Sequence, residues 1–316
     1  MKKLKQGFPN TVVALNGGLG NQLFQIAAGL YFSDRSQLCI SYRNGNARRS
    51  RDGAPEAFSL TSSLDVNYLR NEELSKVVSR VFSLGLALNS IRYPFFVRLF
   101  LINIAKIVLK TSKQYFAYEL FVPLGIGFDP DKPCKKRTVI SGYFQSYRWA
   151  SEKRVFNQLH SMKPAEISLE LNDYIEASAI EKPLIVHIRL GDYKNEPTIG
   201  ILSKKYYDAA ISQMLSDISF THMWVFSDDL ESARDFIGQY KDIKIKWIPN
   251  IDGSSSQTLE LMRYGRGYII GNSTFSWWGA FLRYDQNAKV VAPTPWFKGM
   301  ESPVDLLPPE WIQISS

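Results

Sequence analysis

The stretch HIRLGDY, residues 187–193, holds an imidazole, a guanidinium and a carboxylate at the end of an apolar run. An arginine can donate two parallel hydrogen bonds to phosphate oxygens, and residues two apart in a strand project from the same face. His187 and Arg189 are therefore candidates for binding an anionic ligand, with Asp192 close behind them. Alone, such residues are more often a solvated or salt-bridged strand end, so the interpretation depends on what lies beside them.

Two further polar clusters follow predicted strands in the same half of the chain. Asp228 and Asp229 come after the run MWVFS. A carboxylate can accept two hydrogen bonds from the edge of a guanine, although an acidic pair in this position is more often a helix cap. The other cluster follows the run GYIIG and offers hydroxyls and backbone N–H groups at the start of a predicted helix, where anions bind readily. Its members are Asn272, Ser273, Thr274 and Ser276.

A glycine-rich loop, NGGLGNQ, joins the first predicted strand to the first predicted helix. Gly18 and Gly20 leave room for a phosphate or a sugar to approach the backbone, and Asn21 and Gln22 are candidate polar contacts. The loop differs from the dinucleotide pattern G-x-G-x-x-G, because Leu23 replaces the third glycine and no acidic residue ends the next strand. A nicotinamide or flavin cofactor is therefore disfavoured. A tight turn without a ligand is the alternative.

The elements that must position these residues alternate between short apolar strands and helices. Strands are predicted at TVVAL, LCISY and RTVIS in the first half, and at LIVHIRL, MWVFS, IKIKWI, GYIIG and KVVAP in the second. This alternation predicts an α/β protein with parallel sheets and helices on both faces. Ligands of such folds bind at the edge that the carboxyl ends of the strands share. We therefore expect the three polar clusters of the second half to converge on one crevice.

The length and charge of the chain narrow the possible functions. Its 316 residues suggest two domains, which we place at residues 1–178 and 179–316. A net charge of +8 favours an anionic partner. Cys39 and Cys134 lie far apart without metal-ligand spacing, and the basic N-terminus lacks the apolar core of a signal peptide. We therefore expect a cytoplasmic protein with neither a disulfide framework nor a zinc site.

The most apolar segment, residues 93–108, is interrupted by Arg98 and Lys106. Its uninterrupted length falls short of the roughly 20 residues that span a bilayer. We interpret the segment as a core helix. A basic amphipathic helix that lies on an anionic membrane is the alternative.

Six motifs relate the sequence to a known enzyme family. They are LNGGLGNQLFQIAAGLYF, GYFQSYRW, HIRLGDY, WVFSDD, GNSTFSWWGAFL and VVAPTPWF, in that order between residues 15 and 297. In this order and spacing they resemble the α-1,2-fucosyltransferases of glycosyltransferase family 11. The resemblance implies a GT-B architecture, in which two Rossmann-like domains with parallel sheets face a central cleft. It also implies an inverting transfer from GDP-β-L-fucose that needs no metal and no other cofactor, with the acceptor bound mostly by the first domain.

The resemblance also assigns roles, motif by motif. Arg189 would bind the diphosphate and His187 the nucleotide, while Asp228 or Asp229 would bind the guanine. The β-phosphate would be capped at the helix that follows Asn272. The hydroxyls there belong to Ser273, Thr274 and Ser276. The glycine loop, from Gly18 to Gln22, would line the fucose.

One position departs from the family pattern. Relatives often carry two adjacent arginines, H-x-R-R-x-D, whereas this chain has Leu190 in the second place, and we transfer no role to it. The candidates to supply the positive charge of the missing second arginine are Lys194, Lys204 and Lys205. The catalytic candidates are Arg189, Asp192 and His187. Asp192 could be the general base for the acceptor hydroxyl or could orient Arg189 through a salt bridge, and both interpretations stay open.

The family suggests a terminal galactose as acceptor, with transfer to its 2-hydroxyl. A cytoplasmic enzyme of this kind would build surface polysaccharide, such as O-antigen or capsule, on a lipid-diphosphate carrier. Residues 93–108 would then bind the anionic inner leaflet. A transfer of another sugar or to another hydroxyl is the nearest alternative.

Two more distant alternatives remain. The motif FDPDK, residues 128–132, contains the D-x-D string that holds a metal ion in other glycosyltransferases, although its proline favours an ordinary turn. A basic nucleic-acid-binding protein could use Trp277 and Trp278 as stacking platforms. Because both tryptophans fall within an apolar helix pattern, we expect no nucleic-acid partner.

Overall fold

A computed structural model describes residues 11–33, 38–41, 47–50, 54–61, 67–69, 119–121, 126–129 and 138–316, with positions 94, 96–97, 99–101, 103–104, 107 and 123 between them. The chain divides into two compact units. The first ends at Lys163 and includes Pro303–Leu306, and the second comprises Pro164–Ser302 and Leu307–Ser316.

The first unit contains a parallel sheet of short strands. The strands are β1 Thr11–Ala14, β2 Leu38–Ser41, β3 Asn67–Leu69, β4 Glu119–Phe121 and β5 Thr138–Ile140, in the order β3-β2-β1-β5-β4. The helices are α1 Leu19–Phe32, α2 Phe58–Thr61, α3 Tyr147–Ala150 and α4 Lys153–His160. The predicted unit of strand, glycine loop and helix is therefore β1, the loop and α1.

The second unit contains a larger parallel sheet. Its strands are β6 Leu184–Ile188, β7 His222–Ser227, β8 Lys244–Ile248, β9 Gly267–Ile269, β10 Lys289–Thr294 and β11 Ile312–Ser315. Its helices are α5 Leu169–Glu181, α6 Lys204–Asp217, α7 Leu230–Ala233, α8 Ser255–Met262 and α9 Thr274–Phe281. The strand order β11-β10-β9-β6-β7-β8 is that of a doubly wound sheet, which reverses direction between β6 and β9.

The central strand β6 is buried at every position, which explains why LIVHI reads as a continuous apolar run. Four helices of this unit begin after a serine whose hydroxyl accepts a backbone N–H of the first turn. The serines are Ser168, Ser203, Ser254 and Ser273, before α5, α6, α8 and α9. Both parallel sheets confirm the predicted α/β class with two Rossmann-like domains.

The division between the units differs from the predicted one at residue 178, because α5 belongs entirely to the second unit. At the start of α5, the backbone N–H and the hydroxyl of Ser168 donate to Gln257 Oε1 at 2.9 and 2.7 Å. At its end, Trp224 Nε1 donates to Glu181 Oε2 at 2.6 Å. The boundary therefore lies before this helix.

The described positions between 96 and 107 are helical, but they are not a core helix. Phe96, Phe100 and Ile107 are 80%, 64% and 59% exposed. The core interpretation of this segment is therefore wrong for these positions. Among the helices that the structure does describe, none has the length and apolar character needed to cross a membrane.

The two tryptophans of α9 are fully buried. The Trp277 ring stacks on Phe281 with 4.6 Å between centroids and lies 5.6 Å from the Trp311 ring. Because neither indole reaches the surface, they cannot serve as the stacking platforms that the nucleic-acid alternative requires.

Candidate active site

The predicted site lies at the carboxyl edge of the second sheet, at the point where the strand order reverses. Arg189 directly follows β6, and Asn272 lies three residues beyond the neighbouring strand β9. A Cβ atom on Gly271 would lie 3.1 Å from the carbonyl oxygen of His187, which shows how closely the two strand ends approach. The hydroxyl of Tyr193 donates to the carbonyl oxygen of Asn272 at 3.3 Å. The structure thus brings these two predicted clusters together.

The guanidinium of Arg189 lies between two carboxylates. Its Nε and Nη2 donate to Asp192 Oδ1 at 3.0 and 2.7 Å, and its Nη1 lies 3.2 Å from Asp228 Oδ2. The Arg189 side chain is 15% exposed, whereas Asp192 is 52% exposed. This geometry favours Asp192 as a residue that orients Arg189. Its role as a general base stays a prediction.

Tyr193 was not identified from the sequence and connects Arg189 with the start of α9. Its ring centroid lies 5.3 Å from Arg189 Cζ, within the range of a cation–π contact. Burial of the ring raises the pKa of the Tyr193 hydroxyl to about 12, while the positive charge of Arg189 lowers it. The phenol is therefore a neutral hydrogen-bond donor at physiological pH. The sequence signal that could have identified Tyr193 is its position as an aromatic residue directly after GD in HIRLGDY.

His187 is a buried, neutral imidazole. Burial, followed by the positive charge of Arg189, lowers the pKa of His187 to about 3. Its Nδ1 has no hydrogen-bond partner among the described residues, although it is enclosed. The ring lies 6.1 Å from the ring of Phe275 on the first turn of α9. A neutral ring can exchange hydrogen bonds with a ligand but cannot neutralise a phosphate.

The polar residues around the start of α9 have different roles. The hydroxyl of Ser273 caps the helix by accepting the N–H of Phe275 at 3.3 Å, and Thr274 is half-buried beside it. Ser276 is fully buried, and its hydroxyl donates to the carbonyl oxygens of Gly271 and Ser273. The structure therefore assigns Ser276 to the backbone rather than to a phosphate.

Asn272 holds a neighbouring loop. It is 1% exposed, and its Nδ2 donates to the carbonyl oxygens of Ile199 and Gly200 at 3.2 and 2.9 Å. Its Oδ1 has no partner within the described part of the chain. Asn272 thus fixes the loop after β6 against the start of α9, which makes it a structural residue of the site.

Both acids of the SDD motif have protein partners. Asp228 Oδ1 accepts the N–H of Leu190 at 2.9 Å. Asp229 caps α7 by accepting the N–H and the hydroxyl of Ser232, and it pairs with Lys194 Nζ at 2.9 Å. The Ser232 hydrogen bonds, followed by Lys194, lower the pKa of Asp229 to about 2. Guanine recognition by either acid stays a prediction.

Leu190 points away from Arg189 into the apolar core. It is 1% exposed and belongs to the cluster that includes Leu202 and Tyr207. A side chain at position 190 is therefore not aimed at a ligand of Arg189. Two of the lysines proposed to compensate form ion pairs, Lys194 with Asp229 and Lys204 with Asp208. The third, Lys205, is exposed.

The glycine loop of the first unit is held from within by Gln22. This residue is fully buried; its Nε2 donates to the carbonyl oxygens of Gly17 and Arg48, and its Oε1 accepts the N–H of Ala57. All of its hydrogen-bonding atoms are therefore occupied, and the structure assigns Gln22 to the shape of the loop instead of a donor contact. Gly17, which sequence reasoning did not single out, has a φ of +70° that favours glycine.

An acid that sequence reasoning missed lies against the same loop. Glu56 is 8% exposed, and its Oε2 accepts the N–H of Leu19 at 2.8 Å, at the start of α1. Gly18 lies beside the guanidinium of Arg48, and Asn21 Oδ1 accepts Gln145 Nε2 at 3.1 Å. Gly20 is a buried residue of α1. The Glu56 carboxylate therefore occupies the N–H of Leu19, which is not available to a phosphate at the start of α1.

Within the ranges that the structure describes, no group of three or more His, Cys, Asp or Glu side chains could hold a metal ion. Of the FDPDK motif only Phe128 and Asp129 are described, and Cys134 also lies outside the described residues. The predicted independence from metals stays a prediction.

Comparisons with known proteins relate this chain to glycosyltransferases. The family model for glycosyl transferase family 11 matches residues 129–315. An alpha-1,2-colitosyltransferase from Escherichia coli is 25% identical over 96% of this chain and 98% of its own length. The O-antigen biosynthesis glycosyltransferase WbnK, also from Escherichia coli, is 34% identical over 36% of this chain and 39% of its own length.

Solved fucosyltransferase structures are also similar at the level of the chain trace. The fucosyltransferase NodZ from Bradyrhizobium aligns with a TM-score of 0.46 at 14% identity, over 86% of this chain and 92% of that one. A complex of POFUT1 with GDP-fucose aligns with a TM-score of 0.47 at 13% identity, over 90% of this chain and 98% of that one.

Proposed function

Because the chain belongs to glycosyl transferase family 11, we propose that it moves L-fucose from GDP-β-L-fucose to the 2-hydroxyl of a galactose, with inversion at the anomeric carbon. The glycosyltransferase class follows from the family. The observation that carries the proposal is the position of Arg189 beside the start of α9, at the reversal point of a doubly wound sheet. Phosphorylated nucleotides bind at such points.

The reaction breaks the bond between the anomeric carbon and the diphosphate, so negative charge develops on the departing GDP. Arg189 has five N–H donors, of which its two carboxylate partners take three. The remaining donors, together with the backbone N–H groups at the start of α9, would stabilise that charge. In a dry site each such donor contributes roughly 3 to 4 kcal/mol to the transition state. Stabilising the leaving group is therefore the main task of these residues.

The acceptor hydroxyl attacks the opposite face of the sugar and releases a proton. A general base typically contributes about 100- to 10,000-fold to such a step. Asp192 is half-exposed, so it is our candidate base once the diphosphate replaces it on Arg189.

The glycine loop supports a sugar at the other end of the donor. The Glu56 carboxylate occupies the N–H of Leu19 at the start of α1, and Asn21 is a partly exposed amide at the surface of this loop. We assign the loop to the fucose or the acceptor sugar rather than to the diphosphate.

A second donor is supported by the comparison with a colitosyltransferase, which covers nearly the whole of both chains. Colitose is fucose without its 3-hydroxyl. A site that hydrogen-bonds a hydroxyl rejects the analogue that lacks it by several orders of magnitude, whereas an apolar site does not. The ratio of turnover with the two GDP-sugars therefore identifies the donor.

We also propose that the acceptor is carried by an anionic membrane. Residues 74–118, called here the basic segment, contain seven Lys or Arg and no Asp or Glu, so the rest of the chain has a net charge of 8 − 7 = +1. Within this segment, Phe96, Phe100 and Ile107 are exposed. Basic residues beside exposed apolar side chains are typical of peripheral binding to anionic lipids. A lipid-diphosphate-linked glycan, as in O-antigen or capsule synthesis, would be presented there.

The decisive experiment is incubation of the protein with GDP-fucose or GDP-colitose and a panel of galactosides, followed by determination of the linkage. We expect an α-1,2-linked fucosyl product, formed also in excess chelator. Transfer from GDP-colitose but not from GDP-fucose would identify GDP-colitose as the donor instead. A product at another hydroxyl would contradict the proposed linkage. No transfer from either donor would contradict the proposal, and strict dependence on Mn²⁺ would contradict its metal-independent form.

A further inference from the structure

Asp228 contacts both the main chain and the side chain of the residues that present Arg189. Its Oδ1 accepts the N–H of Leu190 at 2.9 Å, and its Oδ2 lies 3.2 Å from Arg189 Nη1. The Asp228 side chain is 24% exposed. This one carboxylate therefore fixes the backbone after Arg189 and one arm of its guanidinium.

Gly191 makes room for this carboxylate. A Cβ atom at position 191 would lie 2.3 Å from Asp228 Oδ2 and 3.2 Å from its Cγ, and real Cβ atoms essentially never approach a neighbour as closely as the first distance. Any side chain at this position would displace Asp228. The glycine of the HIRLGDY motif and the first acid of SDD are therefore coupled by packing.

Asp192 contrasts with Asp228. It binds the edge of the guanidinium formed by Nε and Nη2, and it is half-exposed. This edge is one of the forks through which arginine donates two parallel hydrogen bonds to an oxyanion. An incoming diphosphate would therefore compete with Asp192, while Asp228 could keep its hold on Nη1 and on Leu190.

We propose that Asp228 is a positioning residue, which holds Arg189 toward the diphosphate and does not bind the guanine. The inference rests on the proposed GDP-sugar donor and changes the role of Asp228 within it. A carboxylate that reads guanine uses its two oxygens for the two N–H donors of the base edge. Oδ1 of Asp228 already accepts the N–H of Leu190, and its Oδ2 forms an ion pair with Arg189, so both oxygens face the loop that carries Arg189.

The test compares the binding of GDP, inosine diphosphate and guanosine by titration calorimetry. Inosine diphosphate lacks the 2-amino group, so the ratio of the two diphosphate affinities reports recognition of the guanine edge. For Asp228→Asn we expect both diphosphate affinities to fall by the same factor, on the order of tenfold, because a charge-assisted contact of Arg189 is lost. The affinity for guanosine should not change.

Gly191→Ala provides a second variant with Asp228 intact. It removes no group that could bind a base, but its Cβ displaces the carboxylate, so we expect the same equal loss for both diphosphates. Asp217→Asn is the matched control, since it removes an acid from an exposed ion pair with Lys289. Its affinities should match those of the wild type. Thermal unfolding shows which variants are folded, and Gly191→Ala still tests the proposal if Asp228→Asn does not fold.

The proposal is overturned if Asp228→Asn weakens GDP but not inosine diphosphate, because Asp228 would then read the base. It is also overturned if Gly191→Ala binds both diphosphates as the wild type does. A wild-type protein that binds neither diphosphate would instead contradict the proposed donor, which separates the two failures.

Discussion

At the scale of single residues, Arg189 carries most of the proposed chemistry. Arg189→Ala should lower kcat with GDP-fucose on the order of 100-fold or more, because charge on the leaving diphosphate loses its main donor in a largely enclosed site. Arg266→Ala is the control, since this exposed arginine lies at the opposite edge of the same sheet, just before β9. Steady-state kinetics at saturating donor measure both. A kcat of Arg189→Ala near that of the wild type would contradict the role of Arg189 in stabilising the leaving diphosphate.

His187 predicts a pH dependence of stability. The pKa of His187 is about 3 in the folded protein against an ordinary value of 6.5. Between these two pH values, the unfolded chain binds a proton at this residue and the folded chain does not. The free energy of unfolding should therefore fall as the pH drops below 6.5, by about 2 kcal/mol between pH 7 and pH 5 from this residue alone.

Urea unfolding of the wild type and of His187→Gln at both pH values checks this expectation. The variant cannot take up a proton at this position. Between pH 7 and pH 5 its free energy of unfolding should therefore fall by about 2 kcal/mol less than that of the wild type. The two proteins would show the same pH dependence if His187 were able to ionise in the fold.

Residue types and order predicted which polar clusters meet at the edge of the second sheet, but not which protein groups each side chain contacts. Arg189 and the start of α9 meet as expected, because adjacent parallel strands end at one edge. Ser276 and Gln22 bond to the backbone instead, since only the packed structure shows which polar groups must satisfy buried main-chain atoms. Glu56 was missed because it reaches α1 from 37 positions away.

At the scale of elements, the strands β6 to β10 of the second sheet were predictable because each is a short, largely apolar run between helices. The strands β3, β4 and β11 were missed, since three or four residues of mixed character give no clear period. The helix after SDD, α7, is only four residues long; it ends at Ala233, and a 3₁₀ turn follows at Arg234–Phe236. The chain leaves the helix there because Ile237 is extended and buried in the core.

The glycine loop offers a pair of neighbouring substitutions with different outcomes. Gly17→Ala should destabilise the first unit by about 1 to 2 kcal/mol, because position 17 has a left-handed φ and its Cβ would lie 2.7 Å from Asn21 Nδ2. Gly18→Ala should be tolerated, since its Cβ would meet the Arg48 guanidinium at an ordinary 3.6 Å. Urea unfolding compares the two, and equal losses would contradict the assigned loop geometry.

At the scale of the whole molecule, the positive charge of the chain is concentrated in the basic segment. We expect the protein to sediment with vesicles of phosphatidylglycerol at low salt. It should be released as the salt concentration rises, because salt screens the attraction between basic residues and anionic lipids. Phe96→Ser with Phe100→Ser should lower the bound fraction at every salt concentration. Transfer to a soluble galactoside should be unchanged.

Val304→Ser is the matched control for vesicle binding, because Val304 is an apolar residue that is 99% exposed outside the basic segment. Its bound fraction should equal that of the wild type. A wild-type protein that remains in the supernatant with anionic vesicles at low salt would contradict membrane binding, without affecting the proposed transfer.

The path of the chain has a consequence for engineering. Residues Pro303–Leu306 return to the first unit before the chain supplies β11 to the second, and Tyr147 N donates to Asp305 O at 3.0 Å there. A fragment of the second unit that stops at Ser302 would lose β11, the edge strand of its sheet. A fragment that continues to Ser316 would keep Pro303–Leu306 without the first unit, to which these four residues belong. Chimeras that exchange the first unit between relatives should therefore transplant two separate stretches of sequence, with three splice points instead of one.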